Sequence, residues 1–468
     1  MSTAHAAPTP PTPRPLPPAH DAGHPTLDAA YQALMESGRT GAQIHDIVRA
    51  EIGERPIHIY GALGRAASLL IQRLRDAGLT IASGYDRRGD GSVGGAGFPV
   101  EASTGVTALR PDDVLILAAG SAQLIESMAA EVTRLTQGRP PRMIDGRKLT
   151  YLTQNAHCAT LAERGAHEDL LTCISYHTKP FTCEHFKRAT EKLAMREVPQ
   201  VIKSEGAALN SVGYLVSEWC NLRCAQCCEA VPYLDSKDRV TTADVVADLT
   251  RLTASIKFLH RLDLVGGEPF AHKEITDIVR AVRALPGIGY IAVFTNGTIM
   301  PSDELCEALV SERIIVTNSD YSQSLDDNKR AKIVATVAKL RRFGVKVVQI
   351  ADRYWFDLIN FTPNGVDEAR LASVYSECFL ECCRRLHRGT LYHCTVQANG
   401  IKLGALEKAN VVEIHDADPA VIAEQLGAFE NERFIEACRN CALPAGAREV
   451  VAAQQLKLGE IPVVARRD

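Results

Sequence analysis

Apolar positions along the chain switch between two periods. The first 26 residues, MSTAHAAPTPPTPRPLPPAHDAGHPT, follow neither. They are proline-rich and nearly free of bulky apolar side chains, so they bury too little surface to offset the entropy of ordering, and a disordered tail is expected over 1–26. From Arg55 the pattern changes. RPIHIYGALGRAASLLIQRLRDAGLTIASGYDRR reads as a short apolar strand, a glycine turn, an amphipathic helix and a second strand ending at Asp86. DDVLILAAGS, from Asp112 to Ser121, reads as a further buried strand ending in a glycine turn. Strands separated by single helices predict a parallel sheet.

This grammar is that of a Rossmann-like domain, expected over 27–140. Its dinucleotide fingerprint is incomplete. Gly61 and Gly64 stand at the strand-to-helix turn, where backbone amides can approach a phosphate, and Asp86 lies about where a ribose-binding acid would, but the remaining glycine is missing. Two readings stay open: a structural or partner-binding domain, and a site for a nucleotide or nucleotide-linked group. Residues 141–205 are irregular and hold Cys158, Cys173, His177, Cys183 and His185. Spacings of fifteen and ten between the cysteines match no compact finger, which favours a buried connector over a metal site.

From Val212 the strand-helix alternation resumes. GYLVSEW, RLDLVGG, YIAVFTNG, RIIVTNSDY and VKVVQIADRYWF are strand candidates, and TADVVADLTRLTASI, EITDIVRAVRAL and NKRAKIVATVAKLRRF have helical periodicity. At least five such units predict a parallel β/α barrel or part of one, over 206–375, with the chemistry at the C-terminal strand ends. The last hundred residues break the alternation and hold six cysteines.

Bulk composition narrows the classes. With 46% hydrophobic and 23% charged residues and a formal net charge of −4, the chain is neither disordered overall nor suited to coating nucleic acid. No run of about eighteen apolar residues predicts a membrane span. No basic-then-apolar start predicts export, so a cytoplasmic location is expected. There, the 14 cysteines point to metal ligands or catalytic thiols rather than disulfides.

Four of them fall in VSEWCNLRCAQCCEAV, at 220, 224, 227 and 228. Cys220-x3-Cys224-x2-Cys227 puts three thiolates in one loop directly after the first barrel strand. Three thiolates hold three irons of a 4Fe-4S cube and leave the fourth iron open, whereas a four-cysteine zinc knuckle is closed and structural. A knuckle does not account for Gly266-Gly267-Glu268-Pro269, Thr295-Asn296-Gly297 or Ser319-Asp320, which end the next three strands. In this order the motifs resemble the radical S-adenosylmethionine superfamily. The resemblance implies a partial (β/α)6-type barrel. It assigns the first cluster to Cys220, Cys224 and Cys227, and S-adenosylmethionine to the open iron. It also implies cofactor contacts from Gly266, Gly267, Glu268, Asn296 and Ser319. The family often has an aromatic residue just before the third cysteine, near adenine; here Gln226 stands in that place.

Cys378, Gly389, Cys394 and the pair Cys438-x2-Cys441 resemble the auxiliary-cluster domain of the same superfamily in its short form, called twitch, expected over 376–450 with a tail at 451–468. By that likeness Cys378, Cys394, Cys438 and Cys441 ligate a second, closed 4Fe-4S cluster, with Cys382 and Cys383 competing for the first position. A closed cluster suits electron acceptance. The leading expectation is therefore an enzyme that forms a 5'-deoxyadenosyl radical and oxidises a sugar or aminocyclitol alcohol to a ketone. A sugar-like small molecule is the expected substrate and a flavodoxin- or ferredoxin-type protein the electron donor, with no nucleic acid or membrane partner. Epimerisation or dehydration of a similar substrate, and peptide modification, are the alternatives. In the loop ADRYWFD, Arg353 is a candidate to hydrogen-bond a hydroxyl or share its proton, Trp355 to wall one face of the site and Asp357 to accept a proton or bind an amine. Cys228 is left outside the cluster, either as a small side chain or as a thiol near the radical.

Overall fold

In the computed structural model, residues 27–37, 51–53, 55–93, 97–163, 184–200, 202–234, 239–351 and 354–457 are described. The proline-rich stretch 1–26, Cys173, His177, Cys183, Arg353 and residues 458–468 lie outside the described residues, as do the side chains of His185 and Cys382. The chain divides into two units, one of residues 1–119 with 131–160 and one of residues 120–130 with 161–468.

The first unit is built on β1 (Ile57–Tyr60), β2 (Ile81–Asp86), β3 (Val100–Ala102), β4 (Val114–Leu117) and β5 (Arg142–Asp145). All pair in parallel, in the order β3-β2-β1-β4-β5. β1 and β4 are buried at every position, as central strands of a parallel sheet require. The helix Arg65–Asp76 turns Ala67, Leu70, Ile71 and Leu74 into the same core, at spacings of three and four. β5 and the helix Gly146–Glu163 carry the element pattern past residue 140, and Cys158 is a buried side chain of that helix.

The second unit begins its sheet with β6 (Ala208–Ser217), β7 (Phe258–Gly266), β8 (Ile288–Thr295), β9 (Ile314–Ser319) and β10 (Val347–Ile350), each parallel to the next. Helices Thr242–Ser255, Ile275–Ala284 and Asp327–Arg342 connect them, close to the sequence expectation. Val245, Leu249, Leu252, Ile278, Val282 and Leu340 pack from those helices onto Val212, Leu262, Ile291 and Val316. Because the strands run one way, Ser217, Gly266, Thr295 and Ser319 end at one edge, and the loops that follow gather there.

One expected strand is two. Between Val345 and Phe356 the chain forms β10 and then leaves the sheet; β11 (Tyr354–Phe356) pairs antiparallel with β15 (Glu449–Val451) in a separate ribbon. The main sheet grows on its other side: β12 (Arg385–His387) lies parallel to β6, followed by the antiparallel β13 (Thr390–Tyr392) and β14 (Val411–Glu413). The β12–β13 turn uses Arg388 and Gly389, both at positive φ. A Cβ on Gly389 would stand 2.4 Å from that of His415, so glycine is needed for space as well as conformation. The Gly389 N–H donates to Asp248, which also accepts from the Tyr214 hydroxyl, at 3.0 and 2.7 Å.

Candidate active site

Cys220, Cys224 and Cys227 lie on the loop after β6, in an apolar group with Leu222, Leu325, Ile333 and Ala453, edged by Tyr321 and Trp355. Burial pushes the Cys220 thiol up to about 12, raises Cys224 and carries Cys227 well above the ordinary thiol range. As free thiols they keep their protons, and a metal that binds here must displace them. N–H groups already face the sulfurs: Leu222 N to Cys220 at 3.3 Å, Asn296 Nδ2 to Cys220 at 3.6 Å and Gln455 Nε2 to Cys224 at 3.2 Å.

The loop is fixed from beneath by the end of β7. Gly267 N–H donates to Ser217 O at 2.7 Å and Glu268 N–H to Trp219 O at 2.8 Å. A Cβ on Gly266 would sit 2.4 Å from Ser217 O, and one on Gly267 2.1 Å from Trp219 O, so both positions require glycine for backbone approach. Glu268 is fully buried, and burial pushes its carboxyl up to about 7. It accepts from Thr295 Oγ1 (2.7 Å), Asn296 N (2.8 Å) and Phe270 N (3.0 Å), which ties β7 to the end of β8. Asn296 in turn accepts from Thr298 and donates to Asn221 Oδ1 at 3.1 Å. Ser319 supports the Tyr321 phenol, whose ring meets Trp355 edge-on at 5.2 Å.

Two buried oxygens at these motifs, Gln226 Oε1 and Asn318 Oδ1, have no hydrogen-bond donor. Buried polar atoms are normally paired, so such orphans suit a site that takes a polar ligand. With three thiols, backbone packed close through glycines and unpaired oxygens nearby, the residues fit an iron-sulfur cluster with a polar cofactor beside it. Among the described residues no three His, Cys, Asp or Glu side chains converge as ligands of one metal ion. The thiolates of a cube ligate separate irons and need no such convergence.

Cys378, Cys394, Cys438 and Cys441 lie in a second apolar group with Leu358, Phe361 and Leu443, and Cys383 belongs to the same group. Burial pushes the Cys394 and Cys438 thiols up to about 12 and Cys441 well above, with Cys378 adding to the effect on both Cys438 and Cys441. Asn364 Nδ2 donates to the carbonyls of Cys438 and Cys441 at 2.7 and 3.0 Å. Cys394 caps the helix Thr395–Lys402. Cys383 is within electrostatic reach of Cys394 and of Cys228.

Cys228 keeps accessible surface, yet the protein packed around its sulfur desolvates it, and that burial, with the neighbouring Glu229 charge, pushes its thiol up to about 12. Its carbonyl accepts from Thr395 Oγ1 at 3.0 Å and Asn399 Nδ2 at 2.7 Å. The next residue, Glu229, forms a buried ion pair with Arg385. Glu218, at the foot of the loop, pairs with Lys402 at 2.9 Å. Of the substrate candidates, Asp357 pairs with Arg448 at 2.9 Å. In the first unit, the Asp86 carboxylate accepts from Leu63 N and from Arg88 N and Nε. Burial raises its pKa, but the Arg88 bonds outweigh that and hold it below the usual carboxylate range.

Sequence reasoning missed Gln455 and Asn318. Asn318 directly precedes Ser319 at a strand end, which is a usable signal. Gln455 has none, because residues 451–457 read as a tail; instead Cys224 and Gln455 form an antiparallel bridge, with Ala225 N–H donating to Gln454 O and Leu456 N–H to Arg223 O, each at 2.8 Å.

Residues 214–356 match the family model described as Radical SAM superfamily. A GTP 3',8-cyclase of Stenotrophomonas maltophilia is 36% identical over 86 residues, 18% of this chain and 26% of that protein. The chain thus spans about a quarter of that relative's length. Among solved structures, BtrN in complex with AdoMet and 2-DOIA matches 51% of this chain and 94% of its own, at 14% identity and a TM-score of 0.32. Streptococcus suis SuiB bound to precursor peptide SuiA matches 57% and 76%, at 10% identity and a TM-score of 0.30. Residues 214–356 of this chain, from within β6 to the end of β11, are a radical SAM domain.

Proposed function

We propose that the chain is a radical S-adenosylmethionine enzyme that oxidises a sugar or aminocyclitol alcohol to a ketone. The observation that carries the reading is the loop with thiols at 220, 224 and 227, seated on the Gly266–Glu268 turn and Asn296, with a second group of five cysteines, 378, 383, 394, 438 and 441, in the same unit. Cys220, Cys224 and Cys227 would hold one 4Fe-4S cluster, and Cys378, Cys394, Cys438 and Cys441 another in a twitch-like segment. When bound, the first cluster and S-adenosylmethionine supply a one-electron cleavage that generates a hydrogen-abstracting radical, and the second cluster supplies an electron acceptor.

The chain's own residues do the rest. Gly266, Gly267, Asn296 and Ser319 present backbone and side-chain polar groups to the cofactor, with Gln226 Oε1 an acceptor in need of a donor. Glu268 holds this frame together. A carbinol that becomes a ketone loses a hydrogen atom, a proton and an electron; Asp357, with Arg353 from the same sequence stretch, is the candidate to take the proton. A flavodoxin- or ferredoxin-type protein would feed the first cluster. The parallel sheet of the first unit fits a Rossmann-like domain.

One observation favours a second reading. Cys228 is exposed one residue beyond Cys227, as a thiol that returns a hydrogen atom in an epimerase would be. Anaerobic turnover with a panel of aminocyclitols separates the two: oxidation yields one 5'-deoxyadenosine per product two mass units lighter, and epimerisation yields unchanged mass with hydrogen from solvent. If no 5'-deoxyadenosine forms above a Cys220→Ala control, both readings fail.

A further inference from the structure

Gln455 uses every polar atom of its side chain. Oε1 accepts from Arg223 N at 2.9 Å, and Nε2 donates to Ala453 O at 2.7 Å and to Cys224 Sγ at 3.2 Å. The amide cannot be turned over: its oxygen would then face a carbonyl and a sulfur, and its nitrogen an N–H. Its anchors are rigid. Ala452 and Ala453 are fully buried, Ser324 Oγ donates to Ala452 O at 2.6 Å, and Ala225 and Leu456 complete the bridge to the cysteine loop. An N–H is therefore held on one particular sulfur by a segment 231 positions away.

We propose that Gln455 is a positioning residue that sets the reduction potential of the cluster on Cys220, Cys224 and Cys227, through its N–H bond to the Cys224 sulfur. This rests on the cluster reading above. Reduction adds negative charge to the cluster, and part of that charge resides on its thiolates. A donor at sulfur stabilises the reduced form more than the oxidised one and moves the potential upward. Removing it makes the cluster harder to reduce.

The test is a potentiometric titration of the anaerobically reconstituted full chain, read by electron paramagnetic resonance on the reduced signal that changes when S-adenosylmethionine is added. Gln455→Met removes the donor at similar length. Gln455→Glu keeps an oxygen for the Arg223 N–H but offers sulfur no N–H. Both are expected to hold the parent's iron content and to shift the midpoint negative. At fixed potential the reduced-to-oxidised ratio should fall roughly threefold to tenfold, about 28 to 59 mV for one electron. A midpoint equal to the parent's in either folded variant overturns the proposal. So does loss of the iron from a folded variant, which would mark Gln455 as holding the loop rather than tuning it. Should Gln455→Met not fold, Gln455→Leu, which removes the donor without adding charge, takes its place, because the charge that Gln455→Glu adds would by itself move the midpoint negative. A parent with no signal sensitive to S-adenosylmethionine overturns the cluster reading itself, a result distinct from a parent signal that the variants leave unmoved.

Discussion

Asn399 donates its side-chain amide to the carbonyl of Cys228 at 2.7 Å, and so joins the helix that Cys394 caps to the loop that Cys227 closes. The same amide reaches Thr395 Oγ1 at 3.1 Å, and Asn399 is almost wholly buried. Asn399→Leu removes both bonds and leaves an acceptor with one donor fewer, so a loss of about 1 to 3 kcal/mol is expected in urea unfolding of the metal-free protein. An unchanged midpoint would mean that Thr395 alone suffices.

At Gly267 the expected cost is steric. The added methyl of Gly267→Ala meets the Trp219 carbonyl and the Cys220 N–H, both backbone. Overpacking of this kind costs about 1 to 3 kcal/mol, and the loop must move to relieve it. Lower iron uptake at the first site, with the second site filled, is the outcome to look for by iron analysis and Mössbauer spectroscopy.

The two cysteine sets should separate under mutation. Cys220→Ala is expected to lose about four irons of about eight per chain and all 5'-deoxyadenosine formation. Cys394→Ala should lose a similar amount of iron yet still form 5'-deoxyadenosine. Cys383→Ala and Cys228→Ala should retain both iron sets; an iron deficit in Cys383→Ala would move the first ligand of the second site from Cys378 to Cys383.

Acid should weaken the fold before most carboxylates protonate. His260 is buried beside Thr190, and burial, aided by Lys187 and Lys257, lowers its pKa from 6.5 to about 4. The unfolded chain therefore binds a proton near pH 6 that the folded chain refuses. Stability present above pH 6.5 is lost as pH falls toward 4, by an amount of the order of 3 kcal/mol for this group. Melting temperatures between pH 7.5 and 4.5 should fall more steeply for the parent than for His260→Gln; equal slopes would exclude His260 as the cause.

Asp357 offers a test of chemistry apart from stability. Its pairing with Arg448 involves an arginine side chain that is 73% exposed, and exposed ion pairs contribute about 1 kcal/mol or less. Asp357→Asn should leave the melting temperature within a degree or two of the parent. If Asp357 takes the substrate proton, product formation falls while 5'-deoxyadenosine formation without product persists. Normal product formation would remove Asp357 from the reaction.

What was legible in the sequence follows from how local each signal is. Helices over 242–255 and 275–284 declare themselves by period, and strands such as Val114–Leu117 by continuous apolar runs. The place of the cysteine loop after β6, and of Gly266-Gly267 after β7, could be read because a strand's end and the need for backbone approach are written within a few residues. For Asp86, position at a strand end says nothing of Arg88 two residues on, which bonds its carboxylate. The break between Ile350 and Tyr354 is invisible because β-rich text is the same whichever sheet receives it, and β11 pairs with residues almost a hundred positions away. Gln455 is the extreme case: it is the second of two adjacent glutamines after an apolar run, and its bonds depend on the path of the second unit.

That remote pairing orders events during synthesis. Cys220, Cys224 and Cys227 leave the ribosome long before residues 452–456, and the bonds to Arg223, Cys224 and Ala225 cannot form until the later segment emerges. The thiols of the loop thus wait, unbridged by their partner segment, through the making of more than two hundred residues. On the cluster reading, iron delivered at the end of translation would meet a finished loop, and iron delivered earlier one that residues 452–456 have yet to close.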